Sequence, residues 1–131
     1  MGKGDRPLRV EPPPHVRFRK AIASGSVTLA VVAAAELRAL TLEDAFELTL
    51  LFASREPHRY GRAAAKWQAR FVIERGPFEL ADCALLVALL AALPGQPIAA
   101  ARGLEALFEQ RGERKLAEAI RRWQVERVPS R

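Results

Sequence analysis

Apolar side chains recur at every third or fourth position along most of this sequence, a spacing that is typical of amphipathic α-helices. Short segments with glycine or proline interrupt the pattern between residues 16 and 127. No stretch alternates apolar and polar residues as a half-buried β-strand would. The pattern therefore predicts an all-α fold of about seven helices, arranged as antiparallel hairpins in a short solenoid-like array or a compact helical bundle.

Helix start and stop signals give approximate bounds for these elements. Ser26 and Thr41 are suited to cap helices, because a side-chain oxygen there accepts a hydrogen bond from an unpaired backbone amide. Pro57 is suited to a first helical turn. The predicted helices cover residues 16–24, 27–40, 41–54, 57–75, 79–93, 96–112 and 113–127.

The fifth predicted helix, Glu79 to Leu93, is apolar nearly all round, so we expect it to be the most enclosed element. Asp82 interrupts its apolar run, which is too short to cross a bilayer, and we expect no membrane partner. The predicted core consists of Leu29, Val32, Leu42, Phe46, Leu50, Trp67, Phe71, Leu80, Leu86, Leu89, Leu107, Leu116, Ile120 and Trp123.

The 131 residues are enough for one domain with a sizeable core. Residues 1–15 contain three consecutive prolines among scattered charges, which predicts an extended, disordered basic arm. Residues 127–131 are predicted to form a short flexible tail. The expected organisation is therefore a single helical domain over residues 16–126 between two flexible ends.

An internal repeat is visible at an offset of 36 residues. Residues 63–84 align with residues 99–120, so that Gly76 matches Gly112 and Leu80 matches Leu116. A fainter copy lies upstream, where residues 42–45 precede residues 80–83 by 38 positions. The repeat suggests a helical hairpin used about three times, with an irregular bundle as the alternative.

These helix–turn–helix units resemble the α-hairpin repeats of tetratricopeptide and HEAT proteins, although the consensus residues of neither family are present. Three segments, residues 17–21, 56–60 and 65–71, also resemble small uncharacterised proteins of high-GC actinobacteria. That second resemblance covers about residues 16–93 and implies a bacterial, cytoplasmic setting. It implies no activity and no site residues.

The formal net charge of +6 is distributed in bands, with positive charge concentrated at both ends of the chain and in residues 55–76. Within the central band, basic residues follow spacings of four, three, four and four and share one face of a helix, over a sector of about 80°. They are Arg55, Arg59, Arg62, Lys66 and Arg70. This basic stripe is compatible with a solvated face, an acidic protein partner or a nucleic-acid backbone.

Signatures of catalysis and metal binding are missing: no Walker loop, GxSxG elbow, HExxH or paired-cysteine motif occurs. The single cysteine, Cys83, lies in an apolar run and is interpreted as a buried small side chain. Glu43, Asp44 and Glu47 cluster at a predicted helix start, where the helix dipole accounts for them. We therefore expect no enzymatic activity, no catalytic residue, no metal site and no cofactor.

The function predicted from the sequence is that of a protein–protein interaction adaptor or scaffold, which uses the basic stripe to bind an unidentified protein. The alternative is an accessory nucleic-acid-binding protein. The sequence leaves the partner and the oligomeric state open.

Overall fold

A computed structural model describes residues 12–127 of the chain. Within this range all regular structure is α-helical, which confirms the all-α prediction. The helices are α1 (Pro14–Ser24), α2 (Val27–Glu36), α3 (Leu42–Arg55), α4 (Pro57–Arg75), α5 (Leu80–Ala92), α6 (Pro97–Gln110) and α7 (Arg114–Arg127). Most of the predicted N-terminal arm and C-terminal tail lies outside the described residues.

The bounds of α3, α5, α6 and α7 differ from the predicted ones by one or two residues, and those of α1 and α2 also differ. Helix α1 begins at Pro14, inside the run of prolines, because a proline in the first turn lacks only an amide that would be unpaired there anyway. Helix α2 ends at Glu36, four residues before the predicted end at Leu40. Leu37 has an extended backbone, with φ −82° and ψ 143°, and the chain then runs without helix to Thr41.

The chain divides into two compact units, residues 1–38 and residues 39–131, called here the N-terminal unit and the C-terminal unit. The N-terminal unit contains α1 and α2, and the C-terminal unit contains α3 to α7. The expectation of one domain over residues 16–126 stays a prediction.

The N-terminal unit is a helical hairpin in which α1 packs against α2. Gly25 ends α1 in the left-handed conformation, with φ 78°, and Ser26 caps α2 by accepting a hydrogen bond from the Leu29 amide at 3.2 Å. Arg17 near the start of α1 forms an ion pair with Glu36 at the end of α2, at 2.6 Å. The pair joins the open ends of the hairpin, opposite the turn.

The core of the C-terminal unit is built around an aromatic cluster, which consists of Phe46, Trp67, Phe71 and Phe108. The rings of Phe46 and Trp67 lie 4.6 Å apart, and Phe108 of α6 meets Phe46 edge-on at 5.4 Å. Each such pair contributes about 0.5–1.5 kcal/mol beyond the area it buries. The cluster therefore holds α3, α4 and α6 around a common centre.

Helix α7 closes the C-terminal unit by packing against α3 as well as α6. The indole Nε1 of Trp123 donates to the Leu50 carbonyl at 3.0 Å and to Ser54 Oγ at 2.7 Å. In an open solenoid each repeat contacts only its neighbours, so contact between the first and last helices identifies this unit as a bundle.

The predicted core is largely confirmed but is wrong at three positions. Leu29, Val32 and Leu80 are 61%, 50% and 84% exposed. On α2 the buried positions are Val27, Ala30 and Ala33, because the hairpin encloses only one side of an apolar helix. The predicted core residues that are buried are Leu42, Phe46, Leu50, Trp67, Phe71, Leu86, Leu107, Leu116, Ile120 and Trp123; Leu89 is partly buried.

The prediction that the fifth helix is the most enclosed element is also wrong. Of the 13 residues of α5, only Leu86 and Leu90 are buried. Helix α5 packs on α4 and α6 along one side, and no other described helix of the C-terminal unit covers its opposite side. None of the helices within residues 12–127 combines the length and apolar character needed to cross a bilayer.

Candidate interaction surface

The basic stripe predicted from the sequence spans two helices and not one. Arg55 is the last residue of α3, whereas Arg59, Arg62, Lys66 and Arg70 lie on α4. The buried side of α4 carries Tyr60, Ala64, Trp67 and Phe71. At about 100° per residue, the four basic residues of α4 lie well away from that side, so the core holds α4 with its cationic positions turned outward.

Two members of the stripe are engaged within the protein. Arg59 pairs with Glu56 at 3.3 Å, and its guanidinium carbon lies 4.5 Å from the centre of the Phe52 ring. Arg70 donates from Nε to Glu74 at 2.5 Å and from Nη2 to the Leu40 carbonyl at 2.7 Å. These contacts leave Arg59 and Arg70 less available to an external anion.

The other three members of the stripe, Arg55, Arg62 and Lys66, are exposed. None of them has a hydrogen bond or an ion pair with any residue in the range 12–127. Arg62 and Lys66 are one turn apart on α4, so their charges are close enough to act together on one ligand. The structure thus reduces the predicted five-residue site to three unpaired cations.

An apolar groove runs between α4 and α5 beside these cations. Its volume is about 490 Å³, and it is partly open to solvent. Residues from the N-terminal half of α4 and the C-terminal end of α5 line it: Pro57, Tyr60, Gly61, Ala64, Ala65, Val87, Leu90, Ala91 and Pro94. The lining contains no charged side chain.

Tyr60 anchors the floor of the groove. Its hydroxyl donates a hydrogen bond of 2.6 Å to the Leu90 carbonyl, and its side chain is 3% exposed. Burial raises the pKa of Tyr60 well above its usual range, so the ring stays neutral at physiological pH. Because Tyr60 is near the start of α4 and Leu90 near the end of α5, this bond also fixes the two helices as antiparallel neighbours.

The outer face of α5 continues the groove as an exposed apolar surface. Its exposed residues are all apolar: Leu80, Ala81, Ala84, Leu85, Val87, Ala88 and Ala91. Leu80 is 84% exposed, and Leu85 and Val87 are each 47% exposed. The one charged residue of the helix, Asp82, is partly buried, and one of its carboxylate oxygens lies 3.9 Å from Arg111. Contiguous apolar surface of this kind marks interaction sites in proteins.

Neither the groove nor the α5 face was predicted from the sequence. The available signal was that α5 is apolar on all sides, which indicates either complete burial or a covering partner. From the sequence alone we expected complete burial. Only the neighbours of α5 distinguish the two, because periodicity does not show how many helices surround it.

The carboxylates at the start of α3 are engaged in ion pairs between helices. Glu43 pairs with Arg75 at 2.8 Å, and Glu47 pairs with Arg122 of α7 at 3.0 Å. Asp44 is buried, and its amide donates to Thr41 Oγ1 at 3.0 Å. Glu43 and Glu47 therefore connect helices, whereas the bond of the Asp44 amide belongs to the cap of α3. Within residues 12–127, no three His, Cys, Asp or Glu side chains form a group able to hold a metal ion.

Comparison with known proteins gives no match: no family model, no curated protein and no solved structure is significantly similar to this chain.

Proposed function

We propose that this protein is a protein-interaction module, an adaptor or scaffold whose binding surface consists of the outer face of α5, the α4–α5 groove and the unpaired cations of α4. The observation that carries the proposal is the uncharged, exposed face of α5. This face extends over three turns of helix and has seven exposed apolar residues. Exposure of such a surface to water is unfavourable in free energy, and a protein partner would cover it.

A photo-crosslinking residue at Val87, on this face, tests the proposal in the host cell. We expect a discrete crosslinked protein from position 87 and none from the same residue at Ala106, which is an exposed alanine on α6. Substitution of Leu85 by glutamate should abolish the crosslinked product, because a charge on the face opposes its burial. No product from position 87, or equal products from both positions, would contradict the proposal.

Nucleic-acid binding is the second candidate, and the three unpaired cations Arg55, Arg62 and Lys66 favour it. Two observations reduce its support. Residues 39–131 contain 14 lysines and arginines against 12 aspartates and glutamates, so the C-terminal unit carries little of the net positive charge. The adjoining groove is also apolar, and its lining offers no charged side chain to a phosphate backbone.

Salt dependence separates the two candidates. If the three cations each contact a phosphate, the logarithm of duplex affinity should fall by about 3 per tenfold increase in salt. Reversal of Arg59, Arg62, Lys66 and Arg70 to glutamate should then remove binding. We expect no measurable affinity of the wild-type chain for a random duplex even at low salt, and steep salt-dependent binding would favour the nucleic-acid function instead.

A further inference from the structure

We infer that the α4–α5 groove takes one amphipathic helix of the partner, with the apolar side of that helix in the groove and an acidic edge against Arg62 and Lys66. The inference rests on the proposed function and names the chemistry of the partner. Three features carry it: the shape of the groove, the spacing of the apolar residues on α5 and the position of the unpaired cations.

The shape of the groove suits a third helix. Two antiparallel helices form its walls, and small side chains at Gly61, Ala65 and Ala91 keep it shallow enough for a helical backbone to approach. A side-chain carbon added at Gly61 would meet no atom within 4 Å, so this part of the wall is open. The segment from Pro57 to Ala65 spans about 13 Å, or more than two helical turns.

The apolar face of α5 has the spacing of a helix-packing seam. Leu80, Ala84, Val87 and Ala91 follow intervals of four, three and four residues, and all four are exposed. This is the a/d spacing by which one helix inserts its side chains between those of another. An apolar helix packed along α5 would therefore contact alternating large and small side chains.

The positive charges of Arg62 and Lys66 on α4 favour an acidic partner. On α4, Arg62 directly follows Gly61 and Lys66 directly follows Ala65, and both Gly61 and Ala65 line the groove. Each cation is therefore rotated by about 100° around the helix axis from a lining residue, towards the side of α4 away from α5. Neither has an acidic neighbour among residues 12–127. Carboxylates along one edge of the bound helix would complete both ion pairs and fix its orientation.

A second copy of the chain fits this surface less well. The acidic residues within α4 and α5 are engaged within the same chain: Glu74 with Arg70 at 2.5 Å and Asp82 with Arg111 at 3.9 Å. The same helices of a second copy would bring two more unpaired cations, and Glu79, a carboxylate without an ion pair among residues 12–127, lies before the start of α5, at the end of that helix away from the groove. Charge complementarity therefore favours a different protein over self-association.

A display library of helical peptides tests the inference on the full-length protein. The peptides are about 18 residues long, roughly five turns, with leucine or alanine at the a and d positions and Glu, Lys or Gln mixed at the flanking positions. We expect wild-type protein to enrich glutamate along one edge. The double variant Arg62→Glu/Lys66→Glu should reverse the preference to lysine and weaken the selected acidic peptide by about tenfold or more.

Two matched variants control for the position and for general charge. Arg102→Glu/Arg114→Glu reverses two exposed cations that do not line the groove, and it should select the same acidic peptides as wild type. Ala65→Trp fills the groove at an exposed position, and it should lose peptide binding while its circular dichroism spectrum stays helical.

The outcomes separate the inference from the proposed function. Enrichment without acidic residues, enrichment unaffected by the reversal at Arg62 and Lys66, or no enrichment at all overturns the inference. A dimer in sedimentation equilibrium that Val87→Glu converts to a monomer also overturns it, since a second copy would then cover the face. If crosslinking at Val87 still gives a partner protein in any of these cases, the proposed protein-interaction function stands. Only the inference that the partner contributes an acidic helix is then rejected.

Discussion

Arg75 donates hydrogen bonds to carboxylates on either side of it, Glu43 at the start of α3 and Glu113, the residue before α7. Burial is the largest single influence and acts to raise the pKa of Glu43, but the hydrogen bond and charge of Arg75, a backbone hydrogen bond and the charge of Lys115 together outweigh it, so the pKa lies below its ordinary value of 4.5. The hydrogen bond to Glu43 correspondingly raises the pKa of Arg75, which stays charged throughout. The ionised form of Glu43 therefore stabilises the fold.

This pair predicts a specific pH dependence of stability. Because the pKa of Glu43 is lower in the folded than in the unfolded chain, its contribution is complete above about pH 5 and disappears as the pH falls through the folded-state pKa. Glu43→Gln should lower the free energy of unfolding by about 1 kcal/mol at neutral pH. The difference from wild type should shrink as the pH falls below 4.5 and through the folded-state pKa.

Urea unfolding at several pH values measures this difference. Glu118→Gln is the control, because the carboxylate of Glu118 has no ion pair with any described residue; its difference from wild type should be small and nearly constant with pH. A Glu43→Gln penalty that persists unchanged in acid would show that the pair does not stabilise the fold.

Residue chemistry was predictable where it is local. Ser26 and Thr41 cap α2 and α3 as their side chains indicate, because a capping hydrogen bond reaches only three residues along the chain. The partners of Arg70 were not predictable in the same way. Its bond to the Leu40 carbonyl joins residues 30 positions apart, and only the packed helices bring them together.

At the scale of elements, the 36-residue repeat aligns residues that occupy different environments. Leu116 is completely buried in α7, whereas its counterpart Leu80 is 84% exposed on α5. Gly112 has φ +78° where Gly76 has φ −67°. The two hairpins α4–α5 and α6–α7 therefore share a sequence pattern. They differ in which side of the second helix is covered.

Truncation of the two leucines tests this difference. Leu116→Ala should destabilise the protein by about 2–5 kcal/mol, because it leaves a cavity in the core. Leu80→Ala should change the stability by less than about 0.5 kcal/mol, as expected for an exposed side chain. Thermal or urea unfolding measures both, and equal losses would mean that α5 is covered in solution.

Gly103 of α6 lies closely against the side chain of Leu89 on α5. A side-chain carbon built at Gly103 would lie 2.6 Å from Cδ2 of Leu89, so the absence of a side chain allows α6 to approach Leu89. This contact orients the inner side of α5 towards α6 and leaves the opposite side towards solvent. The repeat alignment, which places Gly103 opposite Trp67, gave no indication of this role.

At the scale of the molecule, the segment between the two compact units is open to a protease. Residues 37–41 are not helical, and Arg38 within them is exposed. Proteases cleave exposed, irregular backbone before they cleave packed helices. We expect trypsin to cut after Arg38 earlier than after the arginines within α3 to α7.

Mass spectrometry of a brief digest checks this prediction. The expected product is a lasting fragment that begins at Ala39 and retains α3 to α7, since the aromatic cluster and the α3–α7 contact lie entirely within it. Cleavage within α4 or α6 before Arg38 would instead indicate that the chain opens as one body, in agreement with the single-domain expectation.

The sequence by itself determined that the chain is helical, where most helices begin and end, and that Phe46, Trp67, Phe71 and Trp123 enter the core, whereas the buried Phe18 and Phe108 were not predicted. These properties depend on hydrophobic periodicity and on contacts between residues that are close in the chain. Both are visible in the amino-acid sequence. Only the tertiary structure decided which sides of α2 and α5 stay uncovered, which cations of the basic stripe keep no internal partner, and that α3 meets α7. These properties depend on the number and position of neighbouring helices, and helices of equal apolar character are buried or exposed according to what packs beside them.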